Sequence, residues 1–258
     1  MFLFDEVIYK PLYNLLIMVY NFVPFHDFGV AIIVVTLLIK FALIPLSKKQ
    51  IESQKKMQEL QPKIKEVQNK HKGDKEKQSR ALMELYKEHK TNPFSGCLPM
   101  IVQLVFLIAI YRVLFNTSNA GLVVDSAGLY SFVHNPGQIG KMFLGIIDLA
   151  AVINFGQITI ASAPHIALVI LAAGAQFIQT KMLMAKQAQT PAPAGKEANF
   201  AQVMSKQMLY LGPILTLFIG IKFPAGLALY WLVSTGFMIA QQYYIQKAEE
   251  TAGTAKQN

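Results

Sequence analysis

The chain has 258 residues, of which 53% are hydrophobic and 15% charged, with positive mean hydropathy, whereas a soluble domain carries about a quarter charged residues. This composition points to a membrane protein, and the single cysteine, Cys97, excludes an internal disulfide and a cysteine-based zinc site. The net charge of +9 gains meaning only from where its lysines and arginines sit.

The start, Met1-Phe2-Leu3-Phe4-Asp5-Glu6, has no positive n-region, and no A-x-A-like site follows the apolar stretch after Pro11, so no cleaved signal is expected. Within residues 1–27, Leu12 to Val23 is apolar but short, interrupted by Tyr13, Asn14 and Asn21 and bounded by Pro11 and Pro24. It fits an amphipathic helix lying in the external interface better than a crossing helix. The first span is 28–46, which at about 1.5 Å per residue reaches roughly 28 Å, near the thickness of a bilayer's hydrocarbon core. Its one ionisable residue is Lys40.

Residues 47–92 are rich in Gln, Lys and Glu. Met57, Leu60, Ile64 and Val67 recur at helical spacing, Gly73-Asp74 marks a turn, and Leu82, Leu85 and Tyr86 resume the helical pattern. This reads as a cytoplasmic helical hairpin, amphipathic on each arm. After the turn Asn92 to Gly96, the second span is 98–115, with Arg112 placed to snorkel near its far end. Residues 116–164 form an external segment that carries Asp125, Asp148 and an apolar stretch, Met142 to Val152, suited to the interface.

The third span is 165–184, followed by a cytoplasmic loop, 185–207, rich in Ala, Pro and Gln at its start. The fourth and fifth spans, 208–221 and 225–244, are joined by Lys222-Phe223-Pro224 alone, so they are antiparallel neighbours. The fourth covers only about 21 Å, which requires buried flanks or a thinned bilayer. A short polar tail, 245–258, ends the chain. The fold class expected is therefore an all-α polytopic membrane protein with five transmembrane helices.

Orientation follows from the basic residues. With the N-terminus outside, 19 of the 24 Lys and Arg fall in the hairpin, the 181–207 loop and the tail, and only Lys10, Lys141 and Lys222 lie outside. The positive-inside rule then puts the C-terminus in the cytoplasm.

A lysine within a span costs a few kcal/mol on insertion scales, so by default it faces a protein interior or a water-filled cavity. Lys40 is about 9 Å from the end of its span at Leu46 and could also snorkel. Thr36 lies one turn earlier on the same face, and polar residues recur in other spans: Gln103 in the second, Gln176 and Gln179 in the third, Ser234 and Thr235 in the fifth. Each alone reads equally well as interhelical hydrogen-bonding glue. Together they suggest a shared hydrophilic groove. No Asp or Glu falls within a span to neutralise Lys40, so its partner is water or an acidic residue on an incoming polypeptide.

Three separated stretches carry a family resemblance: Asn92-Pro93-Phe94-Ser95-Gly96-Cys97-Leu98-Pro99-Met100-Ile101-Val102-Gln103, Met57-Gln58-Glu59-Leu60-Gln61-Pro62, and Phe223-Pro224-Ala225-Gly226-Leu227-Ala228-Leu229-Tyr230-Trp231 followed by Gln241-Gln242. The chain resembles the YidC family of membrane protein insertases from Phe28 to Ile245. The resemblance implies five helices around a hydrophilic groove open to the cytoplasm and to lipid but closed on the outer side, with a mobile cytoplasmic hairpin. It places Trp231 with the groove residues, implies nascent membrane proteins as substrates in the bacterial inner membrane, and adds the ribosome and a secretion channel as candidate partners.

The sequence departs from the family pattern in two places. The family usually has arginine where Lys40 stands, and the two cations are not equivalent in apolar surroundings. The tail has only Lys247 and Lys256, opposed by Glu249 and Glu250, where many members are strongly basic for ribosome contact. The large periplasmic domain and the lipoprotein-type signal of some members are not expected here.

The hairpin's net charge of +6 suits anionic lipid head groups or ribosomal RNA as well as an ordinary solvated face; nothing suggests DNA, a cofactor or a metal. An intramembrane protease is the enzyme alternative, but Ser95 lacks a nucleophile-elbow glycine, Pro93 standing in its place, and no histidine lies deep in a span. No enzyme activity is expected. A small transporter or channel with Lys40 as an anion site is the remaining alternative, though no paired broken helices or internal repeat support it.

Overall fold

In a computed structural model, the described residues are 2–92, 98–119, 122–154, 156, 158–184 and 196–255. The turn residues 93–97, with Ser95 and Cys97, and residues 185–195 of the proline-rich loop lie outside them.

The chain begins as one continuous helical rod: α1 (Phe2–Phe4), a π-helical stretch (Asp5–Tyr9) and α2 (Lys10–Phe22). Then follow α3 (Phe28–Ala42), α4 (Ile44–Lys70), α5 (Lys75–Glu88), α6 (Leu98–Asn119), a two-stranded ribbon of β1 (Met142–Phe143) and β2 (Ile147–Asp148), α7 (Ala163–Met184), α8 (Lys196–Lys222) and α9 (Ala225–Ala255). The structure is helical apart from this ribbon and the connections.

Proline placement sets two boundaries. Pro11 lies inside the rod, where it lacks the N–H of a regular α-helical bond, and the π-helical stretch stands just before it. Pro45 lacks the N–H that would continue α3, and its ring clashes with the carbonyl four residues back, so the rod breaks at Leu43 and restarts as α4. The two axes are bent by 62°. The expected first span, 28–46, is thus a helix to Ala42 followed by a bend.

The helix carrying the expected fourth span begins at Lys196 and passes through Pro213. By length and apolar composition, Ile160–Leu183 is long enough to cross a bilayer, the bent pair Phe28–Ala42 and Ile44–Met57 qualifies only together, and Ile101–Asn116 and Leu209–Lys222 are shorter apolar helices. Among the described residues, five long apolar helices are therefore not present. The bend divides one expected span, and the polar residues of α9 lower its mean hydropathy.

The bundle packs around α9, which touches α3, α6, α7 and α8. Its core includes Ile32 and Val35 of α3, Ile110 and Val113 of α6, Val169 of α7 and Leu227 to Tyr230 of α9. Buried Leu12, Leu16, Ile17 and Tyr20 turn one face of α2 onto this core. The helix expected to lie in the interface thus commits that face to protein.

Residues 122–154 and α2 together form a cap over one end of the bundle. Asn14 donates to the carbonyls of Lys10 (2.8 Å) and Gly128 (2.9 Å) and accepts from the N–H of Tyr130 (2.6 Å). The hydroxyl of Tyr20 accepts from Gly140 N (2.9 Å), and Asn21 donates to the carbonyl of His134 (2.7 Å). Asp27 caps α3 by accepting from Gly29 N (2.8 Å) and Val30 N (3.1 Å), and its other oxygen accepts from Leu144 N (2.7 Å) in the ribbon. The cap is stitched to α9 by Ala225 N to Ala151 O and Gly226 N to Leu149 O, both 3.0 Å. Arg112, placed to snorkel near the far end of its span, pairs with Asp5 and lies 5.0 Å from the centre of the Tyr9 ring.

Gly29 lets the ribbon sit directly on α3, because a Cβ there would overlap the Phe143 ring. Gly29→Ala should therefore destabilise the protein by about 1–3 kcal/mol, the usual cost of overpacking. Thermal unfolding in detergent checks this; an unchanged midpoint would show that the ribbon yields freely.

At the opposite side of the bend, α4 and α5 form a hairpin around Gly73, whose φ of +94° suits a residue without Cβ. Asp74 caps α5 through Lys77 N (3.0 Å), and this backbone hydrogen bond holds its carboxyl below the usual carboxylate range.

Candidate functional site

A cleft opens between α3, the start of α4, α6 and α9. Thr36 and Lys40, one turn apart on α3, line one wall, and Gln103 of α6 and Tyr230 of α9 face them. The bend at Leu43 brings the first turns of α4 over the same space, so Ser47 and Gln50 join the lining, whose remainder is apolar and includes Leu43, Leu46, Phe106 and Met238. Without Pro45, a straight continuation of α3 would carry these residues away from it.

Gln103 is the hub. Its Oε1 accepts from Lys40 Nζ (3.1 Å) and from Ser234 Oγ (2.9 Å), and its Nε2 donates to the Tyr230 hydroxyl (3.2 Å). One amide thus ties α3, α6 and α9 together. Ser234 and Tyr230 are buried, and they lie one turn apart on α9. Thr36 is also buried, but its hydroxyl is spent on the Ile32 carbonyl of its own helix (2.6 Å).

The other expected site residues divide. Trp231 Nε1 donates to Gln176 Oε1 (3.1 Å), joining α9 to α7, while Gln179 Nε2 donates to Met238 Sδ (3.4 Å), and Met238 itself lines the cleft. Gln176, Gln179 and Trp231 are not among the cleft's lining residues. Thr235 is fully buried with its hydroxyl unpartnered. Of the eight expected residues, Lys40, Thr36 and Gln103 line the cleft and Ser234 joins them through Gln103, whereas Gln176 pairs with Trp231 and Gln179 with Met238. Tyr230, Ser47 and Gln50 were missed as lining residues. Tyr230 was legible as the residue one turn before Ser234; Ser47 and Gln50 depend on the bend.

Lys40 carries the local charge. Ion pairs among the described residues include Lys10–Glu6, Lys77–Asp74, Arg80–Glu76, Arg112–Asp5 and Lys141–Asp148, and none of these involves Lys40. Its partner is the neutral amide oxygen of Gln103. A cation so placed offers its remaining N–H groups to an acceptor entering the cleft.

The sequence matches the profile of a family described as 60Kd inner membrane protein over residues 18–252. It is 37% identical over 241 residues to a membrane protein insertase YidC of Citrifermentans bemidjiense, covering 93% of this chain and 36% of that protein. It is 34% identical over 222 residues to a membrane protein insertase YidC of Fusobacterium nucleatum, covering 86% of this chain and 87% of that protein. The chain thus spans little more than a third of the first relative and most of the second. In fold it is similar to a crystal structure of an active YidC insertase with its first transmembrane domain resolved, at a TM-score of 0.53 and 23% identity, over 93% of this chain and 46% of that one. The chain belongs to the 60Kd inner membrane protein family, the family of the YidC membrane protein insertases.

Proposed function

We propose that the chain is an insertase of the bacterial inner membrane, and that its cleft receives the hydrophilic segment of a nascent membrane protein on its way across the bilayer. The observation that carries this reading is the charge of Lys40, held in a largely apolar cleft with an amide and no carboxylate as its partner among the described residues. A carboxylate about 4 Å from that ammonium gains roughly 4 kcal/mol at an effective dielectric near 20. That gain offsets part of the cost of taking an acidic tail out of water.

In this reading α3, α6, α7, α8 and α9 are the five spans, the cap of α2 and residues 122–154 lies outside, and the α4–α5 hairpin lies in the cytoplasm. Exposed Leu104, Ile108, Leu171, Ile178, Leu215 and Phe218 support a lipid-facing surface on α6, α7 and α8. The excess of lysines in the hairpin supports the orientation. The hydrogen-bonded cap supports a cleft closed on the outer side, so a bound segment would enter from the cytoplasmic side or from lipid. The net positive hairpin is the part suited to anionic lipids, the ribosome or a secretion channel.

The test is reconstitution in liposomes with a single-span substrate whose translocated N-terminal tail carries an acidic residue. Insertion well above that of protein-free liposomes is expected; no gain over them defeats the reading.

A further inference from the structure

Among the described residues, three buried side-chain polar atoms have no hydrogen-bond partner: Gln50 Nε2, Thr235 Oγ1 and Gln241 Nε2. Of these residues only Gln50 lines the cleft. Gln50 is 9% exposed, and an orphaned buried donor costs about 1–3 kcal/mol. Such a group calls for an explanation, and here the cleft in front of it provides one.

We infer that the Gln50 amide is a substrate-binding group that donates to a main-chain carbonyl of the polypeptide segment held in the cleft. This rests on the insertase reading and adds to it a second, charge-independent contact. Lys40 and Gln50 serve different needs. The ammonium matches a carboxylate, which only some tails carry. Every tail carries peptide carbonyls, and each one removed from water needs a donor or costs free energy. A neutral amide with a free N–H suits a neutral carbonyl, whatever the tail's sequence.

Gln50 lies on the first turns of α4, beyond the bend at Leu43, and lines from the hairpin side the cleft that Lys40 and Gln103 also line. The free donor is thus carried by the element that leads out of the bundle, where an incoming segment first loses water.

The test compares two tails, one with an aspartate and one with asparagine in its place, on the full-length reconstituted protein. Gln50→Met keeps the side-chain length and removes the orphaned donor. It should lower insertion of both tails about fivefold, the worth of one ordinary hydrogen bond, while the melting temperature of the free protein stays the same or rises. Lys40→Ala should lower insertion of the aspartate tail more than that of the asparagine tail.

Three results would each overturn the assignment. Wild-type insertion by Gln50→Met would show that the amide binds nothing. Loss confined to the aspartate tail would show that it serves the carboxylate. A lowered melting temperature would show that it holds the fold. Failure of the wild-type protein to insert either tail is a different outcome, because it removes the insertase reading itself and this assignment with it.

Discussion

Lys40→Ala should cut insertion of an acidic-tailed substrate about tenfold or more, since tenfold corresponds to 1.4 kcal/mol and the pairing it removes is worth more than that at short range. The fold should survive the change. Gln103 Oε1 keeps its bond from Ser234, its Nε2 keeps the Tyr230 hydroxyl, and no carboxylate is left unpaired, because none faced Lys40 among the described residues. Lys40→Arg should retain insertion, since a guanidinium keeps the charge and has donors enough for both Gln103 and a carboxylate. Raising the salt concentration should shrink the advantage of the acidic tail over a neutral one, because the cleft is open to solvent. Two outcomes would sink the electrostatic mechanism: equal loss in Lys40→Ala and Lys40→Arg, or equal loss for acidic and neutral tails.

Lys40, Thr36, Gln103, Ser234 and Thr235 could be found by period alone, because a polar residue in an apolar helix stands out against its neighbours. Their partners could not. Gln50 sits among glutamines and lysines of a polar segment, where one more amide carries no signal, and only the bend at Pro45 turns it into the cleft. Asp27 is a single acid before an apolar run, readable as a helix cap, but its second bond, to the ribbon, depends on a contact 117 residues away in sequence. The cap as a whole was invisible for the same reason. Asn14, which interrupts the apolar run of α2, is the residue whose amide pins Gly128 and Tyr130. A polar break that argued against a crossing helix is therefore also the fastening of residues 122–154. The helical class itself followed from long-range regularities that a few broken positions do not erase, whereas span lengths were set by a proline bend and by the helix running through Pro213.

Gln103→Glu separates the charge of the cleft from its packing, and it should abolish the preference for acidic tails while leaving the protein folded. The substitution is nearly isosteric. A carboxylate oxygen can accept from Lys40 and Ser234 as the amide oxygen does, and the Tyr230 hydroxyl can turn to donate where it now accepts. The hub is preserved, but Lys40 acquires an internal counter-ion at hydrogen-bond distance. An incoming aspartate would then meet a neutralised pair, and insertion of the acidic tail should fall about tenfold or more, as for Lys40→Ala. Pairing inside the cleft should leave the melting temperature unchanged or higher. The double variant Lys40→Ala/Gln103→Glu should be worse than either single one for the acidic tail, because an unpaired carboxylate then repels it. The same liposome insertion measurement decides the matter, with circular dichroism of the detergent-solubilised protein as the check on folding. Wild-type insertion of the acidic tail by Gln103→Glu would mean that a free positive charge in the cleft is not what draws the tail in.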